Sequence, residues 1–115
     1  MRLYISGKIT GDEGYLKKFA EAQVALRSEG YEVVNPSMLE GVVSGIEWSQ
    51  ALYVGMNCLI GIADGILMLP DWEESKGACL ELGMALGLDM PVYVMKDGKA
   101  MGPQSMEEIF LYKKG

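Results

Sequence analysis

A chain of 115 residues, half of them hydrophobic, has enough apolar material for one domain with one core and too much to remain disordered. Its 16 acidic against 10 basic residues leave a net charge of −6, with no basic stripe to neutralise phosphates, which excludes non-specific nucleic-acid binding. There is no histidine, so Ser-His and Cys-His catalysis are excluded, and any general acid or base must be a carboxylate, a lysine or a tyrosine.

The apolar run MRLYIS, closed by Gly7, reads as a buried strand. GKITGDEG follows as a glycine-rich turn, in which Thr10 and Glu13 have capping-box spacing for the next helix. That helix is predicted over 13–29, with Tyr15, Leu16, Phe19, Ala22 and Leu26 on one face and Gly30 as its stop. YEVVNP is the second strand. Residues 37–46 read as a loop, and a helix is expected over 46–62, from Ile46 through Trp48, Leu52 and Leu59. DGILMLP, almost wholly apolar, is the third strand and DWEES a loop; Asp64 reads as a cap or turn residue. The helix SKGACLELGMALG comes next, then PVYVM as a fourth strand, KDGK as a turn, and QSMEEIFLY as a short last helix.

Cys58 and Cys79 stand in apolar helical runs without a CxxC pattern, and read as buried free thiols of a reducing cytoplasm. The nine methionines read as core gap-fillers. Met1 leads straight into a strand, so no signal peptide is expected, and no apolar run approaches the ~20 residues that span a bilayer. Strands alternating with helices, the strands continuously apolar, imply a parallel sheet covered on both faces. The expectation is a single α/β domain over 1–115, doubly wound, with a four- or five-stranded parallel sheet. Ligands of such sheets bind at the carboxyl ends of the strands, which gathers the loops Ser6–Gly11, Asn35 onward and Asp71–Gly77 at one edge.

Glu81 is the residue that stands out. At 100° per residue, Ala78, Leu82, Ala85 and Leu86 fall within roughly 100° of one another, a core stripe, and Glu81 lies about 40° from Ala85 on its shoulder. A carboxylate there must be solvated, paired or kept for use, and Lys8 or Lys76 could pair with it. SGKITG could cradle a phosphate or simply make a tight turn; it is neither a Walker A nor a GxGxxG loop. In ESKGA, the Ser75 hydroxyl, the free N–H groups and the helix dipole favour an anion, although the motif by itself reads first as a plain N-cap at Ser75. Asp71 and Glu73 close the third strand, where ligand hydroxyls would be held or where loop charges are simply solvated.

YISGKITG (Tyr4–Gly11), EVVNP (Glu32–Pro36) and ADGILMLPDWEESKGACLELGMALG (Ala63–Gly87) resemble a phage and bacterial family of unknown function. Its members read Y-I-S-G-x-x-T-G near the start and L-P-x-W-x-x-S-x-G-A-x-x-E later. That family is similar to the nucleoside 2-deoxyribosyltransferases and to 2′-deoxynucleoside 5′-phosphate N-hydrolase, and the resemblance covers nearly the whole chain. In the hydrolase the later motif reads S-x-G-x-x-x-E-L-G-x-A, matched here by Ser75, Gly77, Glu81, Leu82, Gly83 and Ala85.

The resemblance implies a deoxyribosyltransferase-like fold and cleavage or transfer at the N-glycosidic bond of a nucleoside or (deoxy)nucleoside 5′-monophosphate, without cofactor or metal. It makes Glu81 the nucleophile on the anomeric carbon and Tyr4 the aromatic of the first strand. It places Ser6, Gly7, Lys8, Ser75 and Gly77 around sugar or phosphate. A second phosphate-contacting serine of the hydrolase comes from the partner subunit; counting along the chain lands on Ser105, which implies a homodimer. One position departs: the family's Asp ahead of the third strand falls on Met56, beside Asn57, and Asp71 or Glu73 would have to substitute. Met56 favours the alternative of a catalytically inactive nucleotide-binding module, a sensor or sequestering protein. A third reading is an interaction protein in which Glu81 is only salt-bridged.

Overall fold

The structure, a computed structural model, describes residues 1–39 and 48–112. The predicted helix start at Ile46 and most of the predicted loop over 37–46 lie outside them.

β1 (Arg2–Ser6) is followed by α1 (Tyr15–Ser28), β2 (Glu32–Val34), a 3-10 turn (Pro36–Leu39) and α2 (Trp48–Ile62). Then come β3 (Gly65–Met68), a second 3-10 turn (Trp72–Glu74), α3 (Lys76–Gly87), β4 (Val92–Lys96), β5 (Lys99–Met101) and α4 (Met106–Tyr112). The sheet order is β2-β1-β3-β4-β5. β1 pairs in parallel with both β2 and β3, and β3 with β4. The expected α/β domain with a covered parallel sheet is therefore present, with one difference. The fifth strand runs antiparallel to β4, because the predicted KDGK turn is a hairpin in which Asp97 and Gly98 both take positive φ, the geometry that suits a two-residue reversal.

Alternation along β1 builds two cores. Leu3 and Ile5 point toward α1 and meet Phe19, Ala22 and Leu26. Tyr4 points to the opposite face, among Leu59 of α2 and Ala78, Leu82 and Ala85 of α3. Each large side chain so buried contributes about 1.5–3 kcal/mol. Asp64 locks the start of β1, since its Oδ2 accepts the Arg2 N–H at 2.8 Å.

Three local expectations are corrected. Thr10 and Glu13 form no capping box: α1 begins at Tyr15, Gly14 precedes it without a side-chain cap, and Asp12 accepts the Gly14 N–H at 2.9 Å instead. Leu16 is exposed, because the buried stripe of α1 is Phe19, Ala22 and Leu26 and Leu16 lies one residue off it. The thiols are free but not buried: Cys58 is half-buried and Cys79 exposed, since Cys79 falls on the outward side of α3. Among the described residues no helix is long and apolar enough to cross a membrane.

The chain leaves β1 in one direction to β2 and in the other to β3, so its path reverses between β1 and β3. A crevice opens at the carboxyl end of such a reversal. The loops there are tied by Lys18 of α1. Its ammonium donates to the Lys8 carbonyl at 2.7 Å, to Asp12 Oδ2 at 2.6 Å and to Asp71 Oδ2. Asp71 Oδ1 also accepts the Lys8 N–H at 3.1 Å. Burial alone would lower the Lys18 pKa, but the bonds and charges of Asp12 and Asp71 outweigh it and raise it. Lys18→Met is expected to cost about 1 kcal/mol, the upper range for a partly screened ion pair, read as a lower urea midpoint. Equal midpoints for the two proteins would show that the loops hold without this tie.

Candidate active site

Tyr4 and Ser6 lie on the same face of β1, two residues apart, and Ser6 ends the strand beside Met68 of β3. α3 presents Ala78, Glu81, Leu82 and Ala85 to that face, so Glu81 occupies a core position of its helix. The Tyr4 hydroxyl donates to Glu81 Oε2 at 2.5 Å, and the Ser6 hydroxyl donates to Oε1 at 2.7 Å. Tyr4 and Ser6 are each 1% exposed and Glu81 8%. The expected lysine partners lie elsewhere: Lys8 Nζ is 3.6 Å from Glu74, and the bonds described for Glu81 come from hydroxyls.

Burial raises the Glu81 pKa, and it outweighs the two hydrogen bonds that favour the carboxylate. The Tyr4 hydroxyl is pushed far above the ordinary tyrosine range, first by burial, then by the charge of Glu81 and by their hydrogen bond. Tyr4 is thus held as a neutral donor to a carboxylate that is costly to ionise. Once ionised, a carboxylate so poorly solvated is more basic than a free one, which suits it chemically to act as a nucleophile or a base.

The other predicted residues have contacts of their own. Gly7 is packed so closely on the third-strand end that a β-carbon there would meet Leu69 Cβ at 2.9 Å and Asp71 Oδ1 at 3.1 Å. Ser75 caps α3, its Oγ accepting the Ala78 N–H at 3.1 Å, and a β-carbon on Gly77 would stand 3.8 Å from that Oγ. Asp71 is engaged by Lys18 and the Lys8 backbone, in a cluster separate from Glu81. Ser105 is exposed at the head of α4 and forms a capping box: its Oγ accepts the Glu108 N–H at 3.1 Å while its own N–H donates to Glu108 Oε1 at 3.0 Å. In α2, Met56 is half-buried, and Asn57 points outward, donating to the Tyr53 carbonyl at 2.8 Å.

Lys18 and Gly55 were missed from the sequence. Lys18 carries no local signal, since one lysine among the charges of an amphipathic helix is unremarkable. Gly55 carries a faint one, a glycine in the middle of a helical pattern.

The fold is that of a nucleoside-processing enzyme of known structure, a 2-deoxyribosyltransferase from the psychrotolerant bacterium Bacillus psychrosaccharolyticus. The likeness has a TM-score of 0.62 at 24% identity and covers 82% of this chain and 71% of that one. The chain belongs to the family described as Domain of unknown function (DUF4406), whose model matches residues 1–94. That span contains β1, α3 and all of Tyr4, Ser6 and Glu81. No curated protein matches.

The raised Glu81 pKa has a consequence for stability. The folded carboxyl holds its proton more tightly than the unfolded one, so stability falls as pH rises between the two pKa values and the cost is complete above the folded value. Glutamine keeps the shape, accepting from one hydroxyl and donating to the other. Glu81→Gln is therefore expected to have the higher urea midpoint at about pH 8, the gap closing toward about pH 4. A wild type more stable at the alkaline end would mean that the two hydroxyl bonds outweigh burial.

Proposed function

We propose that this protein cleaves or transfers at the N-glycosidic bond of a nucleoside or (deoxy)nucleoside 5′-monophosphate, with Glu81 as nucleophile. The observation that carries the reading is a buried carboxylate held by the Tyr4 and Ser6 hydroxyls at 2.5 and 2.7 Å, beside the strand reversal where such sheets bind ligands. The likeness in fold to a 2-deoxyribosyltransferase supports it.

In the first step a Glu81 oxygen forms a bond to the anomeric carbon as the C–N bond breaks. The bonding pair leaves with the base, which is released neutral once it takes a proton. The sugar passes through an oxocarbenium-like state to a glycosyl ester on Glu81. Water or a second base then attacks the same carbon, loses its proton and returns the carboxylate. Tyr4 and Ser6 hold the carboxylate in place throughout. The N–H groups opening α3, with Ser75, suit a 5′-phosphate; Ser75 accepts in its cap and keeps its own proton to donate. The chemistry needs no cofactor. A second reading, a nucleotide-binding module without turnover, is favoured by Met56 and by the outward turn of Asn57.

The reading extends to a homodimer through α2 and α3. α2 has no charged residue, and Tyr53, Ile60, Leu80 and Met84 are exposed on the two helices, with Leu88 exposed just past the end of α3. Copies of a chain of net charge −6 repel through their charged surfaces, and an uncharged apolar face is one that a second copy meets across a two-fold axis without that repulsion. Sedimentation is expected to find a dimer in the wild type and a monomer for Leu80→Glu. A monomeric wild type, or a dimer indifferent to that change, would remove this interface.

Incubation with a panel of nucleosides and monophosphates, with free base read by chromatography, tests the activity. Wild type is expected to release base and Glu81→Ala to lose about 10³-fold or more, as for loss of a nucleophile. Full turnover by Glu81→Ala would refute the nucleophile assignment. Saturable nucleotide binding with no release by wild type would select the second reading.

A further inference from the structure

We propose that Gly55 is a positioning residue of this site, kept without a side chain so that α2 can seat its backbone directly on the Tyr4–Glu81 hydrogen bond. The proposal rests on the reading of Glu81 as the reactive group. Gly55 is buried midway along α2 (Trp48–Ile62), where glycine is a poorer helix former than alanine.

The contact is specific. A β-carbon built on Gly55 would stand 2.6 Å from the Tyr4 hydroxyl oxygen, 3.0 Å from Glu81 Oε2 and 3.7 Å from Tyr4 Cζ. Side-chain β-carbons essentially never come within 3.0 Å of a packed heavy atom. Other glycines of the same layer make no such demand: a β-carbon on Gly61, Gly83 or Gly87 would meet nothing within 4 Å. Neither neighbour of Gly55 has room to retreat. Tyr4 is packed in the core, and its hydroxyl is tied to Glu81 at 2.5 Å. The other carboxylate oxygen is tied to Ser6 at 2.7 Å. One added carbon must therefore lift α2 or drive the Tyr4 hydroxyl off the carboxylate. The obstacle is chiefly one oxygen atom, so the requirement for glycine should vanish with that oxygen.

A double-mutant cycle over wild type, Gly55→Ala, Tyr4→Phe and the double variant tests this in thermal unfolding. Gly55→Ala is expected to lower the Tm by roughly 5 °C or more in wild type, and by less than half as much in Tyr4→Phe. There the nearest obstacle is gone and the carboxylate has lost one of its two ties, keeping only Ser6. Equal losses in both backgrounds would make Gly55 a general packing residue and overturn the proposal, as would a Tm gain from Gly55→Ala alone. Should Gly55→Ala alone fail to fold, a folded double variant supports the proposal and an unfolded one overturns it. Turnover gives the second readout. In a folded Gly55→Ala protein kcat is expected to fall about tenfold or more with KM within about twofold, the signature of lost positioning; an unchanged kcat overturns the role in catalysis. If wild type releases no base, the reading of the activity fails, and the seating of α2 on the pair is decided by the thermal cycle alone.

Discussion

The feature on which the rest depends is a carboxylate in the core. Glu81 takes a position that its helix would normally give to an apolar residue, and is 8% exposed. Burying a charge there is tolerable because two hydroxyls reach it, both from the strand at the centre of the sheet's path reversal. Burial still prevails over those bonds and holds the pKa up. The charged form of Glu81 thus costs the domain stability.

The scaffold is organised around that cost. β1 is paired on both sides, so Tyr4 and Ser6 sit on a rigid strand and have little freedom to leave Glu81. α3 starts from a serine cap, which sets the rotation that turns Glu81 inward. Lys18 fastens the loops after β1 and β3 to each other. Asp71, which the sequence offers as a spare carboxylate, takes part in that fastening, and Ser105 caps its own helix.

Much of the fold was legible. Apolar strands alternating with amphipathic helices admit few arrangements once crossovers are right-handed and short, and the observed parallel order follows from that. The failures were local and have local causes. Leu16 and Cys79 were misplaced because helical periodicity blurs at the edge of a stripe. The capping box at Thr10 was displaced because Asp12 offered the turn a better acceptor. β5 was missed because three residues are too few to show a period. In the site, Glu81 and Ser75 stood out by breaking or opening a helical pattern. Tyr4 and Ser6 were marked by their motif, but their role as the two donors to Glu81 was not.

By itself the sequence determined the fold class, the core stripes and the anomaly of a carboxylate on one of them, because these depend on residue order and period alone. The tertiary structure decided what that carboxylate touches. The partners of Glu81 lie 75 and 77 residues away along the chain, and no local pattern encodes a contact of that separation. Gly55 shows the same limit, since the atom it makes room for belongs to another element altogether. Periodicity tells which way a side chain faces; which atoms meet it is fixed only when the sheet and its helices close on one another.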